Sequence, residues 1–555
     1  RSLIISEEYK FWKFISGKKY LNENLINFDK KLLKNYYLNK GFYDVSINSS
    51  FAKLVNNDEF ELIFNIDAKN KFFFGDLNIS LPNDFEPTNF DNIKNIFEKL
   101  KDRPYSINSV EKIIDEIDKI SISEQYESVK ASVVENIVSN KINLTFKIEE
   151  TDKFFVEKIN IFGNNITREN VIRNQFSIDE GDPYNEILAN KSINSIKALN
   201  FFKNVESEII EGKNQSSKII NITVEEKATG EIMAGAGFGT SGEVFEFGVK
   251  ENNYLGKGLA VESQLSLSSD KITGNFNIEN PNYNNSDKSV NFGIEAIEYN
   301  KLSTFGYKSK KIGGSIGTKF EYLDDFNLGL ETSTFVEKIE TDSSASARQK
   351  TQEGNYFDTY LNLSFDYDKR NQKFKTSDGF RSYYSMGLPI ISDNNTLNNF
   401  YFYKVFSELY EDNISSMSIS LSSANSLTGD DVKLSERLFV PQSKLRGFVS
   451  GKVGPKDGDD YIGGNYYAVM NLNSTLPQIL PNFQEIEVIS FLDIANLWGV
   501  DDKSLKNSSE IRSSIGLGID WFTPVGPLSF SFAQPLSKSS SDTTETFRFN
   551  LGTTF

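Results

Sequence analysis

Ile511-Arg512-Ser513-Ser514-Ile515-Gly516-Leu517-Gly518-Ile519 changes character almost residue by residue, with apolar side chains at 511, 515, 517 and 519 and polar or small residues between. A period of two belongs to a β-strand with one apolar face. The same grammar runs from residue 229 to residue 555, in Val244 to Val249, Leu259 to Leu267, Tyr360 to Tyr367, Met417 to Leu421 and Phe547 to Leu551. Clusters of Gly, Asn, Asp and Ser separate these segments. Roughly ten residues per tilted strand suits a bilayer crossing, and about sixteen such strands with their loops would fill the stretch. Strands in hydrocarbon must close on themselves, because an open edge leaves N–H and C=O groups unpaired. The pattern predicts an antiparallel transmembrane β-barrel of about sixteen strands. A water-soluble all-β protein is the alternative that periodicity leaves open.

The first 228 residues read differently. Asn27 to Asn39 has helical spacing, with Phe28, Leu32, Leu33, Tyr36 and Tyr37 on one face, and Gly41 ends it before the extended segment Phe42 to Val45. Phe60 to Ile66 alternates as a strand. The order then repeats: a strand at Phe72 to Ile79, helices at Phe90 to Leu100 and Ile107 to Ile120, strands at Val129 to Val134 and Ile142 to Ile148. In the clearest copy, a strand at Phe155 to Phe162 turns at Gly163-Asn164-Asn165, Thr167 N-caps a helix through Phe176, and Asn185 to Leu199 forms a second helix. Val205 to Ile210 and Ile219 to Glu225 complete it. Three strand-helix-helix-strand-strand units result, the first cut short. The reading is α+β modules at 1–69, 70–151 and 152–228 ahead of a barrel at 229–555, with a single larger α+β domain as the alternative.

Composition removes whole classes of chemistry. With no Cys and no His there is no disulfide, no thiolate or imidazole zinc site and no Ser-His-Asp triad. A net charge of −17 argues against a nucleic-acid partner. Mean hydropathy is −0.41, and no run of 18 apolar residues offers a membrane-spanning helix. Arg1 stands where an initiating Met would, without a leader pattern after it, so a start and any signal peptide read as removed. Gly237-Phe238-Gly239-Thr240-Ser241-Gly242 fits G-x-G-x-x-G, but a strand follows where a dinucleotide site needs a helix. Asp457, Asp459 and Asp460 lack an EF-hand register. No cofactor and no enzymatic activity are expected.

Specific strings carry a resemblance. Ile159-Asn160-Ile161-Phe162-Gly163-Asn164, Thr167, Val171-Ile172-Arg173, Glu180-Gly181-Asp182 and Leu199-Asn200-Phe201-Phe202 resemble the polypeptide-transport-associated (POTRA) module beside the barrel of outer-membrane assembly factors. Leu445-Arg446-Gly447-Phe448, then Gly454-Pro455-Lys456-Asp457 and Tyr461-Ile462-Gly463-Gly464-Asn465, resemble that family's long inward-folded sixth loop, here near 426–467. Phe491-Leu492-Asp493, ending at Trp498, and Pro524 to Leu528 resemble its closing strands, and Phe547 to Phe555 its terminal β-signal. Within it the chain is most similar to the BamA family, over essentially its whole length. Five modules in the full-length protein are implied, of which this chain would keep the last two and most of the third.

The resemblance implies folding and insertion of β-barrel proteins into the bacterial outer membrane, with the modules in the periplasm. A related translocase for secretion or autotransporter assembly is the alternative, and the Gly-Gly-Asn string and terminal Phe favour the former. Implied partners are unfolded barrel clients, outer-membrane lipids and accessory Bam lipoproteins including BamD, which Glu180 is placed to contact; a solvated surface acid is the competing reading. Arg446 needs a carboxylate of matching fork geometry inside a barrel, and Asp493 occupies the family's partner position. Many relatives place a second carboxylate where this chain has Asn473, so the clamp is expected to use one acid plus neutral acceptors. Gly447 allows the tight tip, and Phe448 packs as a plug. A lateral seam between the first and last strands is expected at Gly235, Gly237, Gly239, Phe549, Leu551, Gly552 and Phe555, with a glycine-rich, loosely packed edge. The glycines also fit a simple barrel bend.

Overall fold

Asn22 starts the first helix, Glu23–Asn39, by accepting hydrogen bonds from the amides of Asn24 (2.9 Å) and Leu25 (3.2 Å). The computed structural model describes residues 3–6, 20–56, 59–83, 85–124, 129–150, 153–214, 216–240, 242–373, 376–410, 413–476, 486–501, 505, 509–523 and 526–551. The chain divides into two compact units, Arg1–Ala228 and Thr229–Phe555. The helix buries Asp29, Leu33 and Leu38, while Phe28 and Tyr36 are exposed. This corrects the apolar face expected from spacing. Asp29 turns inward because its carboxylate accepts the amides of Ile5 (2.6 Å) and Ser6 (3.2 Å), a role that hydrophobic periodicity cannot register.

The first unit repeats one sheet order. In the middle module Phe73–Ser80 lies parallel to Lys141–Glu150, which pairs antiparallel with Val129–Val138. The third module matches it: Phe155–Phe162 is parallel to Ser217–Glu226, which pairs antiparallel with Phe202–Glu211. In each, the last strand in sequence is central, and two helices cover the sheet. Phe74, Phe90, Ile93, Ile113 and Phe146 form the middle core, and Ile159, Ile172, Ile196, Ile220 and Ile222 the third. The earlier hairpin, Ser46–Asn56 with Glu59–Asp67, belongs to the first module. That module is tied to the middle one through Asn39 Oδ1, which accepts from Ser106 Oγ and the Asn108 amide at 2.9 Å, and through Tyr43, whose ring meets Tyr105 at 5.2 Å.

Thr167 is not a helix cap. The short helix is Glu169–Arg173 with Arg168 at its N-cap, and no side chain caps it. Thr167 is buried one position earlier because its amide donates to Glu226 Oε1 at 2.6 Å. A competing acceptor from the central strand outbids the local cap.

The second unit is a closed barrel of sixteen antiparallel strands among the described residues, from Gly230–Gly239 to Phe547–Leu551. Strand lengths range from 5 residues in the last to 17 in Tyr307–Leu323. Alternation decides the faces: Phe245, Phe247 and Val249 are exposed on the outer wall, as are Ile511, Ile515 and Leu517. Arg512 and Ser514, between the latter, are fully buried. Asn275, Asn277, Asn291, Ser315, Glu331 and Asn362 help line an interior cavity of about 970 Å³. An apolar outer wall around a polar interior is the arrangement a membrane barrel requires. The strands Asn413–Ser426 and Tyr466–Thr475 are neighbours, and residues 427–465 between them fold inward against the wall.

Asp118, in the helix Ile107–Ser123, has its carboxyl pushed up to about 6 by burial, with a lesser push from Asp115. A carboxyl raised on folding takes up a proton, so its contribution is greatest below the unfolded value near 3.8 and is lost as pH rises through 6. Asp118→Asn is expected to stabilise residues 1–228 by about 1 kcal/mol at pH 7.5. The gain should vanish near pH 4 in thermal unfolding followed by circular dichroism.

Candidate functional site: the inward loop and the seam

A guanidinium inside a barrel must find acceptors, and Arg446 finds them on two neighbouring strands, Tyr466–Thr475 and Ile486–Trp498, while the next, Arg512–Thr523, supplies a donor to its carbonyl. Its Nε donates to Asp493 Oδ2 (2.8 Å) and its Nη2 to Asp493 Oδ1 (2.6 Å) and to Asn473 Oδ1 (2.8 Å). The Arg446 amide also donates to Asp493 Oδ2 (3.0 Å), and its carbonyl accepts from Ser514 Oγ (2.5 Å). Asp493 is 0% exposed, and Asn471 Nδ2 donates to its Oδ1 at 2.8 Å. The guanidinium carbon lies 3.4 Å from the centroid of the Phe491 ring, a cation–π stack. The carboxylate thus meets four donors, which offsets the cost of burying it.

Next to the clamp, Gly447 has φ +87°, and a Cβ there would stand 3.1 Å from the Cβ of Ala533 and 3.3 Å from that of Ser514. Only glycine fits this conformation so close to the wall. Leu445 and Phe448 are buried with Val440, Val453, Val469 and Leu497. At the loop's far end Gly464 exchanges backbone hydrogen bonds with Leu438 (2.8 and 2.9 Å), and a Cβ there would meet the Trp498 carbonyl at 2.5 Å. The Gly-Gly-Asn string is therefore where the loop presses on the wall. Asn465 follows, donating to Asp501 Oδ1 at 2.6 Å.

Two further loop cations are pinned in ways the sequence reading missed. Lys433 Nζ, almost fully buried, sits 2.5 Å from Asp358 Oδ2 and 2.9 Å from Glu337 Oε2. Arg437 Nη2 donates to Asp501 Oδ2 at 2.8 Å. Asn471, Phe491 and Ser514 were missed as well. The available signal was parity: 471, 473, 491 and 493 share the inward face of their strands, and 514 lies opposite 493. Asp457, weighed for calcium, instead accepts from Ser346 Oγ at 2.5 Å.

The seam is the second feature. The first strand, Gly230–Gly239, pairs with Gly242–Tyr254 at ten positions. Against the last strand it pairs at two among the described residues, Gly239 with Asn550 and Phe238 with Leu551. The hairpin end adds Thr240, whose amide donates to the Phe549 carbonyl (3.0 Å) and whose hydroxyl accepts from the Phe549 amide (3.0 Å). Phe238 and Phe549 meet on the outer wall with ring centroids 6.0 Å apart. Gly239 touches the last strand, with a built Cβ only 2.7 Å from the Phe549 carbonyl. Gly235 and Gly237 face Glu246 and Val244 on the other neighbour and have no ladder partner across the seam among the described residues. Gly552 and Phe555 lie outside the described residues. Glu180 sits at the module surface, part-exposed, with Oε1 accepting the Ile159 amide at 3.0 Å and lying 3.5 Å from Arg173 Nη1. One of its oxygens thus serves its own sheet.

The arrangement offers a pinned loop beside a barrel joint built on a glycine-rich strand. The Omp85 superfamily domain profile matches residues 253–555, and the POTRA profile, a surface antigen variable number repeat, matches 9–69 and 154–227. The outer membrane protein assembly factor BamA of Neorickettsia risticii is 24% identical over 572 residues, spanning 100% of this chain and 76% of that relative. BamA of Neisseria meningitidis serogroup B is 22% identical over 606 residues, spanning 98% and 74%. The crystal structure of BamA from Haemophilus ducreyi lacking POTRA domains 1–3 has the same fold, with a TM-score of 0.65 at 20% identity over 87% of this chain and 99% of that one.

Arg446→Ala leaves the buried Asp493 charge without its counter-ion, a loss of about 3 kcal/mol from loop seating. The loop at 427–465 should then become open to limited proteolysis. Adding Asp493→Asn removes the orphaned charge and should restore part of the protection. Equal cleavage of parent and Arg446→Ala would contradict the clamp.

Proposed function

The chain belongs to the Omp85 superfamily, and on that footing we propose that it folds and inserts β-barrel proteins into the bacterial outer membrane. The observation carrying the mechanism is the make-up of the seam: a first strand with glycines at 235, 237 and 239 meets the last strand, with Gly239 opposite Asn550 and Phe238 opposite Leu551 among the described residues. Glycines within a strand weaken its packing, and an edge freed in a membrane is a template for an incoming strand. The client's amides replace the partner lost, so hydrogen bonds are exchanged and no covalent step or nucleotide is required. The names of the BamA relatives, and a similarity that spans nearly all of this chain and about three quarters of each of them, support this reading and the outer-membrane location.

In this reading the modules, with limits at 69, 151 and 228, lie in the periplasm, and the first barrel strand rises from there. The two described seam pairs then stand toward the outer surface, and the start of the first strand lies on the side from which clients arrive. Gly235 and Gly237 keep the strand between free of bulk. Arg446, Asp493 and Phe448 hold the loop that braces the neighbouring wall. The partners are unfolded barrel proteins, outer-membrane lipids and the accessory lipoproteins of an assembly complex, BamD among them, with the exposed part of Glu180 as a contact.

The chain reconstituted in liposomes should speed insertion of two unrelated unfolded barrel proteins. Cysteines at Phe238 and Leu551, in a chain with none of its own, should form a disulfide that stops insertion until reductant is added. Acceleration of one cargo alone would favour a dedicated exporter. Insertion that continues with the crosslink closed would contradict lateral opening.

A further inference from the structure

The last strand has a third attachment, to neither neighbouring strand. Immediately before it, residues 543–545 run against the tip of the inward loop. The Val449 amide donates to the Thr543 carbonyl (2.9 Å), the Thr543 amide to the Lys452 carbonyl (3.1 Å) and the Glu545 amide to the Gly447 carbonyl (3.0 Å). Phe448 and Thr544 form the bridge between them. Arg548, the first inward-facing residue of Phe547–Leu551, is 6% exposed. Its Nη1 donates to the Gln442 carbonyl (2.9 Å) and its Nη2 to the Phe448 carbonyl (2.8 Å), while Glu545 supplies its carboxylate.

The two kinds of attachment differ in strength. Charge-assisted hydrogen bonds are roughly twice as strong as neutral ones, and burial adds to the difference. Arg548 makes two of them to the loop from inside the wall. Among the described residues the seam offers neutral bonds, in two ladder pairs and a threonine, flanked by aromatic rings on the outer surface. The loop tip is the same one that Arg446 pins two residues earlier.

We propose that Arg548 is a positioning residue for the seam: it fastens the last strand to the inward loop, so the loop helps set where that strand sits. Seating of the Arg446 tip is then felt at the edge where clients enter. Removing the fork leaves the last strand its ladders with Gly526–Ser537 and with the first strand, and the short backbone run to the loop. This rests on the reading of the seam as the working edge given above.

The test places cysteines at Phe238 and Leu551, across the seam, and separately at Phe530 and Phe549, which are paired on the opposite edge of the last strand. Oxidation rates are measured in lipid nanodiscs with and without Arg548→Gln. Loss of the fork should slow the seam crosslink about tenfold, the weight of one charge-assisted hydrogen bond, and leave the control pair unchanged. Arg548→Lys, which keeps the charge without the fork, should slow it by less and serves if the Gln variant does not fold. Unchanged seam crosslinking overturns the assignment. Slowing of both pairs alike also overturns it, because Arg548 would then only hold the strand in the sheet. Liposome insertion by the parent chain is run alongside: failure there rejects the functional reading and leaves the crosslinking result to stand.

Discussion

Inside hydrocarbon no water is available to an unpaired amide, so every strand edge must be matched by another. Sixteen strands meet that demand around a circle, and the weight of the structure falls on the joint that closes it. Strand lengths, the inward loop and the terminal segment all bear on how that joint is made. Closure sets a glycine-rich first strand against the last one, with two ladder positions and a threonine joining them among the described residues.

Buried charge organises what stands behind that contact. Lys433, Arg437 and Arg446 come from one loop, and each meets acid on or beside the wall: Asp358 and Glu337, Asp501, and Asp493. A separate pair, Arg512 with Asp542, is fully buried and ties the segment before the last strand to the strand Arg512–Thr523. Such pairs add little net stability, yet breaking one leaves a stranded ion. They therefore specify place more than they add strength, and they place the loop where its carbonyls reach Arg548.

Much of this was legible in the residues, for identifiable reasons. Period-two alternation survives in Ile511 to Ile519 because one face meets lipid and the other a polar interior, so barrel and strand faces could be read directly. The repeated modules were visible because each copy reuses the same order of periods. The loop tip was found through resemblance, since nothing local marks Arg446 as different from a solvated arginine. What escaped were the groups whose meaning depends on distant partners. Asp29 sits on a helix as though solvated until the amides of Ile5 and Ser6 are known. Thr167 has the look of a cap until Glu226 takes its amide. Arg548 is an ordinary inward position until the loop returns to meet it.

Lateral opening requires the first strand to be held less firmly at the seam than on its other edge. Hydrogen–deuterium exchange of the chain in lipid nanodiscs measures this directly, because amide protection reports local opening. The account predicts that amides within 230–237 exchange well ahead of those in 242–251, and that those at 238–240 lie between. Uniform slow exchange along the whole first strand, matching its neighbour, would contradict it.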